Sequence, residues 1–165
     1  MNSANSKASE ELRNLISRTE LELAELEVDS FNRKDALRLG MILVRRATEE
    51  ALPVAMNITR GTQTLFHVAL EGTTADNDDW IARKTRAVER FGVPSLLLGL
   101  RSQLTGVSIE DEPWFDVTLY AAHGGCFPIV VKGTGQIATV TVSGLPQLAD
   151  HELVVAALRE FIAKQ

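Results

Sequence analysis

Apolar alternation occurs in this chain as two tight pairs. Residues 54–59 set Val54, Met56 and Ile58 on one face, Arg60-Gly61 turns the chain, and residues 64–70 return. Residues 127–132 and 137–143 repeat the pattern around Gly133-Thr134-Gly135. Strands joined this closely run antiparallel, because a parallel pair needs a crossover of about a dozen residues or more. Helical periodicity fills most of the remaining chain. The expected class is therefore α+β, a mainly antiparallel sheet flanked by helices, and not a doubly wound parallel sheet.

The 165 residues suit one domain. Residues 1–8 are small and polar and read as a disordered N-terminus, with a single domain over 9–165. From Ser9 a helix places Leu12, Leu15 and Ile16 on one face, and residues 25–31 read as a short strand. Asn32 caps a helix carrying Ala36, Leu37, Gly40, Met41, Val44 and Ala47, which ends before Pro53. After the first hairpin, Asp76 or Asn77 caps a helix whose stripe is Trp80, Ile81, Ala87, Val88 and Phe91. Gly92 and Pro94 separate it from a shorter helix over 95–103, and 105–113 is a loop. Residues 115–120 read as a further strand ahead of the second hairpin. Asp150 caps the last helix, with Leu153, Val154, Ala157, Leu158, Phe161 and Ile162 facing inward.

Charge and composition exclude several functions. Acidic residues number 22 against 17 basic ones, a formal charge of −5, which argues against a nucleic-acid partner. No apolar run reaches the roughly 20 residues that span a bilayer, and no signal peptide is evident, so a cytoplasmic protein with no membrane partner is expected. A single cysteine, Cys126, excludes an internal disulfide. There is no P-loop, G-x-G-x-x-G, G-x-S-x-G or H-E-x-x-H.

Three features carry candidate chemistry. His123-Gly124-Gly125-Cys126-Phe127-Pro128 combines an imidazole with two glycines that permit close approach of a ligand or an anion-binding nest; it is equally a bend between strands. Ser143-Gly144-Leu145-Pro146-Gln147, followed by Asp150-His151, forms a strand-to-helix corner able to present amides, or a simple turn and cap. Lys84 falls within the apolar stripe of its own helix, whereas Arg83, Arg86 and Arg90 fall outside it. It either snorkels to water or meets a carboxylate in a pocket or interface. Cys126 reads as a small buried filler, and mid-strand His67 as structural or interface-facing rather than catalytic. No residue completes a triad with Cys126 or His123, so nucleophilic catalysis ranks last.

In combination, four stretches resemble the haem-degrading-domain family, in its intracellular branch of mostly uncharacterised proteins. They are Asp35-Ala36-Leu37-Arg38-Leu39-Gly40; Leu65-Phe66-His67 leading to Gly72-Thr73, Asp76-Asn77 and Trp80-Ile81-x-Arg83-Lys84; His123-Gly124-Gly125-x-Phe127-Pro128; and the corner Thr141 to Gln147 with Asp150-His151. The resemblance implies a profilin-like fold and a dimer or larger homo-oligomer. It also implies a ligand, haem or another small molecule, handled at a site built from His123, Gly124, Gly125, Ser143, Gly144, His151 and Lys84. His123 and His151 would be the metal-ligand candidates and Lys84 the propionate partner. Ala138 stands where the family tends to have glycine, a change that reshapes a groove rather than the fold. The competing reading is a non-catalytic oligomeric scaffold or adaptor in which the same motifs serve packing.

Overall fold

The computed structural model describes residues 2–165. Helix α1 covers Asn2–Glu25 and α2 covers Arg33–Glu49. Strands β1 (Ala55–Arg60) and β2 (Gln63–Ala69) form the first hairpin. Helices α3 (Ala75–Phe91) and α4 (Ser95–Thr105) follow, then a 3₁₀ turn at Ile109–Asp111. Strands β3 (Cys126–Val131) and β4 (Gly135–Ser143) form the second hairpin, and α5 (Gln147–Ala163) closes the chain. The four strands make one antiparallel sheet in the order β2-β1-β4-β3, so the two hairpins meet through β1 and β4. This is the α+β architecture that the hairpin pattern predicts.

The two faces of the sheet differ chemically, and the difference is written in β4. Ala138, Val140 and Val142 alternate with Thr139, Thr141 and Ser143. The apolar set joins Met56, Ile58 and Phe127 beneath α2 and α5, where Leu39, Leu43, Val154, Leu158 and Phe161 complete the main core. The hydroxyl set faces α3. There Thr85 hydrogen-bonds Thr141 at 3.0 Å, and Thr59 hydrogen-bonds Thr139 at 2.8 Å. Period-2 alternation thus supplies one greasy face and one polar face, and α3 lies on the polar one.

Several local expectations change. The N-terminal helix begins at Asn2, not Ser9, with Met1 outside the described residues. It runs to Glu25, the first position of the strand expected over 25–31; of those residues Val28 alone makes a β-bridge, to Val131. Residues 115–120 form turns instead of a strand, because the Asp116 carboxylate captures the N–H and hydroxyl of Thr118 at 2.8 and 2.6 Å. The cap of α3 is Thr74, with Asn77 as the reciprocal member of a capping box. Asp150 does not cap α5: Pro146 occupies that position, four residues earlier. Asn32 caps α2 as expected, through Lys34 and Asp35.

Candidate functional site

A cavity of about 310 Å³ opens where the start of α3, the 123–125 loop and the β4–α5 corner converge. Its wall includes Asn77, Trp80, Lys84, His123, Ser143 and Gln147, with Asp76 at its exposed rim and Asp150 at its buried end. Of the residues expected from sequence, Lys84, His123, Ser143 and Gly144 meet here.

Each element has a reason to aim where it does. Asn77, Trp80 and Lys84 are spaced by three and four residues, so they share one face of α3. Ser143 is the last member of the hydroxyl row of β4 that faces this helix. Gly144, with φ of +150°, turns the chain toward α5, and its backbone lies so close to Pro53 that a side chain has no room.

Lys84 does not snorkel. It is 3% exposed, and its ammonium donates to Asp150 Oδ2 and to the Val142 carbonyl, each at 3.0 Å. The carboxylate partner therefore belongs to the same chain. Asp150 Oδ1 accepts from the Leu145 N–H at 3.0 Å, so the carboxylate ties the corner as well as the lysine. Burial raises its pKa, while the Lys84 ammonium and the Leu145 and Gly144 backbone groups oppose the rise.

The two expected glycines are buried and are not part of the cavity wall. At Gly124 the backbone N–H donates to Gln147 Oε1 at 3.1 Å. At Gly125, with φ of +127°, an added Cβ would meet Lys84 Nζ at 2.6 Å and crowd the Val142 carbonyl. Glycine is what lets the loop close over the Lys84–Asp150 pair.

His123 stands edge-on to Trp80, with ring centroids 5.2 Å apart. Burial pushes its pKa below the ordinary histidine value, Glu110 opposes, and Lys84 and Arg83 add to the fall. The ring is thus neutral at pH 7, and its buried Nδ1 has no hydrogen-bond partner among the described residues.

His151 lies elsewhere. It is 1% exposed, and its Nε2 is 2.8 Å from Glu22 Oε2 on α1. One residue along a helix is a rotation of about 100°, so Asp150 facing the cavity turns His151 toward α1. Sealed in this way, His151 cannot reach a ligand in the cavity. Among the described residues, no group of three His, Cys, Asp or Glu side chains gathers to hold a metal ion.

Cys126 is fully buried, and burial pushes its thiol up to about 12. Its sulfur accepts from the Thr141 hydroxyl at 3.0 Å, and its N–H donates to Ser95 Oγ. It is a packed residue rather than a nucleophile. His67 sits on β2, 3.3 Å from Asp78 and away from the cavity.

The sequence assigns Asn77 to the cap and Trp80 to the stripe without a site role, and includes Gln147 in the candidate corner without singling it out. A signal was present: Asn77 lies seven positions before Lys84, so α3 carries two polar residues along its inward stripe.

A family model for HbpS-like haem-degrading proteins matches residues 31–159. A UPF0303 protein of Streptomyces avermitilis is 50% identical over 147 residues, 88% of this chain and 90% of that one. The crystal structure of the Ybr137w protein is similar at a TM-score of 0.85 and 28% identity, over 97% of this chain and 96% of that one. The haem complex of PduOC shares the fold at a TM-score of 0.67 and 15% identity, over 79% of this chain and 94% of that one. Helix α1 precedes the residues that the family model matches.

Proposed function

Since the chain belongs to the HbpS-like haem-degrading protein family, we propose that it is a small-molecule-binding protein whose ligand occupies the cavity between α3, the 123–125 loop and the β4–α5 corner. The observation that carries this is convergence. Lys84, His123 and Ser143 come from distant stretches of the chain and line one recess of about 310 Å³, at the small end of the usual range for ligand pockets. The buried Lys84–Asp150 pair gives the recess a rigid floor before any ligand arrives, which lowers the ordering cost of binding.

Haem was the ligand that the resemblance implied, and the residues here fit only part of it. A neutral His123 imidazole suits iron. Lys84, however, has two of its three protons on Asp150 and Val142, and its charge is already paired with Asp150, so it offers a propionate one hydrogen bond rather than a free cation. Beyond Trp80 and Leu145 the wall is largely polar, whereas a macrocycle needs apolar contact over both faces. A whole haem does not fit the cavity of one chain, so the ligand is smaller and more polar.

Nuclear magnetic resonance of labelled protein with a library of small polar compounds tests the reading. The expected result is saturable shifts centred on Asn77, Ser143, Gly144 and Gln147. Saturable shifts that all map elsewhere would sink it. In a parallel hemin titration, no Soret change that depends on His123 is expected; one that saturates in the native protein and vanishes in His123→Ala would make haem the ligand.

A second reading, an oligomeric scaffold, is favoured by Leu37 and Met41. They lie one turn apart on α2 and are 57% and 54% exposed. A second copy of this chain is the occupant this reading assigns to that face, and light scattering of native protein against Leu37→Glu/Met41→Glu tests it: a native oligomer that the variant abolishes supports it, and a native monomer removes it. Both readings are compatible with a cytoplasmic protein. Among the described residues no helix is long and apolar enough to cross a membrane, and the one cysteine is buried.

A further inference from the structure

The hydrogen-bonding inventory of the cavity points to a class of ligand. Two carboxamides line it, and both have committed their oxygens. Asn77 Oδ1 accepts from the Thr74 N–H at 2.9 Å, in the capping box of α3. Gln147 Oε1 accepts from the Gly124 N–H at 3.1 Å. An amide whose oxygen is engaged by backbone N–H has its NH₂ left to offer. The capping box and the glycine bend therefore fix the sense of these two side chains: each presents donors.

The charged groups bias the cavity the same way. Asp150 accepts from Lys84, from the Leu145 N–H and from the Gly144 backbone, which uses most of its acceptor sites. Lys84 spends two of its three protons, on Asp150 and Val142, and the third remains. Ser143 adds a hydroxyl from the end of β4. Asn77, Gln147 and Lys84 thus have donors left to offer, Ser143 can donate or accept, and the neutral His123 ring brings one donor and one acceptor, so donors outnumber free acceptors. A matching ligand brings acceptor oxygens.

We infer that the cavity receives the carboxylate of a small organic acid, held by the side-chain NH₂ groups of Asn77 and Gln147 with Ser143 and the Lys84 ammonium beside them, and with its carbon body against Trp80 and Leu145. This rests on the small-molecule reading above and names its ligand class. A carboxylate is planar and accepts through two oxygens, which suits several donors arriving from different elements. One negative charge suits the cavity better than two. Lys84 is already paired with Asp150, and Asp76 stands at the rim, so a phosphate dianion would meet repulsion that a monoanion meets less. The size agrees as well: about 310 Å³ holds a compact acid.

Calorimetry with matched pairs of probes tests the inference: acetate against acetamide, and benzoate against benzamide. Each amide keeps the shape but turns an NH₂ toward the donors of the cavity, a clash that costs binding. At least one acid is expected to bind saturably, with its amide weaker by about tenfold or more. Gln147→Glu retains the acceptor for Gly124 but replaces the donor by a carboxylate. It is expected to weaken the acid by about tenfold or more and to leave the thermal midpoint near that of the native protein. The shift of the Asn77 side-chain NH₂ resonance on binding, identified by its loss in Asn77→Asp, reports contact directly. An amide that binds as tightly as its acid, a Gln147→Glu protein that binds the acid unchanged, or inorganic phosphate binding in preference to every acid would each overturn the inference. If neutral compounds shift Ser143 and Gln147 while no acid does, the carboxylate assignment falls and the small-molecule reading stands. If no compound of either kind perturbs the cavity, both fall.

Discussion

Lys84 Nζ lies 3.0 Å from Asp150 Oδ2, and the two side chains are 3% and 2% exposed. The pair joins α3 to the first turn of α5 across the end of β4. Neither residue could be buried alone, since an unpaired charge in such surroundings is costly. Each is therefore the condition for the other, and the cavity above them inherits their rigidity.

Removing one partner should expose that dependence. Lys84→Met and Asp150→Asn are each expected to cost about 3–5 kcal/mol, because the remaining group is left buried without its counterpart. The double variant Lys84→Met/Asp150→Asn should cost clearly less than the two singles added together. Urea unfolding of all four proteins measures this. Additive costs would mean that the two groups do not interact.

The glycine bend offers a graded comparison. Gly61 has φ of +55° with nothing within 4 Å of an added Cβ, so Gly61→Ala should cost about 1–2 kcal/mol, from backbone strain alone. Gly125→Ala adds steric conflict with Lys84 Nζ and the Val142 carbonyl. It should cost more than Gly61→Ala and should also lower affinity for any ligand of the cavity. Equal costs would mean that the loop can shift away from the pair.

The thiol of Cys126 should be inert while the protein is folded. Full burial and a pKa pushed up to about 12 leave negligible thiolate at pH 8. A colorimetric disulfide reagent should label it only as fast as the protein unfolds, and at once in denaturant. Rapid labelling of native protein would show that the 123–126 segment opens.

The sequence displays what is local. Both hairpins and most of the α3 and α5 stripes are visible because period and turn chemistry act over a few residues, and the ends of the hairpin strands fall within one or two positions of expectation, whereas Leu37 and Met41, read into the α2 stripe, are exposed and Leu39 and Leu43 are buried instead. Residues 115–120 mislead because a single Asx turn at Asp116 outweighs apolar alternation. Lys84 is conspicuous as a charge on an apolar stripe, but its partner is 66 residues away and nothing local selects Asp150 over another acid. His151 misleads for a related reason. It adjoins a cavity residue in sequence, yet helical rotation sends it to Glu22, 129 residues away.

That distant contact makes stability depend on pH with a definite sign. Burial lowers the pKa of His151 below the ordinary value of 6.5; the hydrogen bond that the ring donates to Glu22 opposes the shift without cancelling it. A neutral ring donating from Nε2 to Glu22 leaves Nδ1 as a buried acceptor without a partner among the described residues, so charging the ring would bury a proton with none of them to receive it. The unfolded chain takes up its proton near pH 6.5 while the folded chain resists, so unfolding binds protons and stability falls as pH drops through and below that value. His123 is shifted in the same direction and contributes with the same sign, though it is less buried. Urea midpoints from pH 8 to 5 for the native protein, His151→Asn and His123→Asn separate the two. The acid loss should be shallowest in His151→Asn. Because Glu22 lies on α1, hydrogen exchange in residues 15–25 should quicken first as the native protein is acidified. An acid slope left unchanged by His151→Asn would show that protonation of this ring is not what weakens the fold.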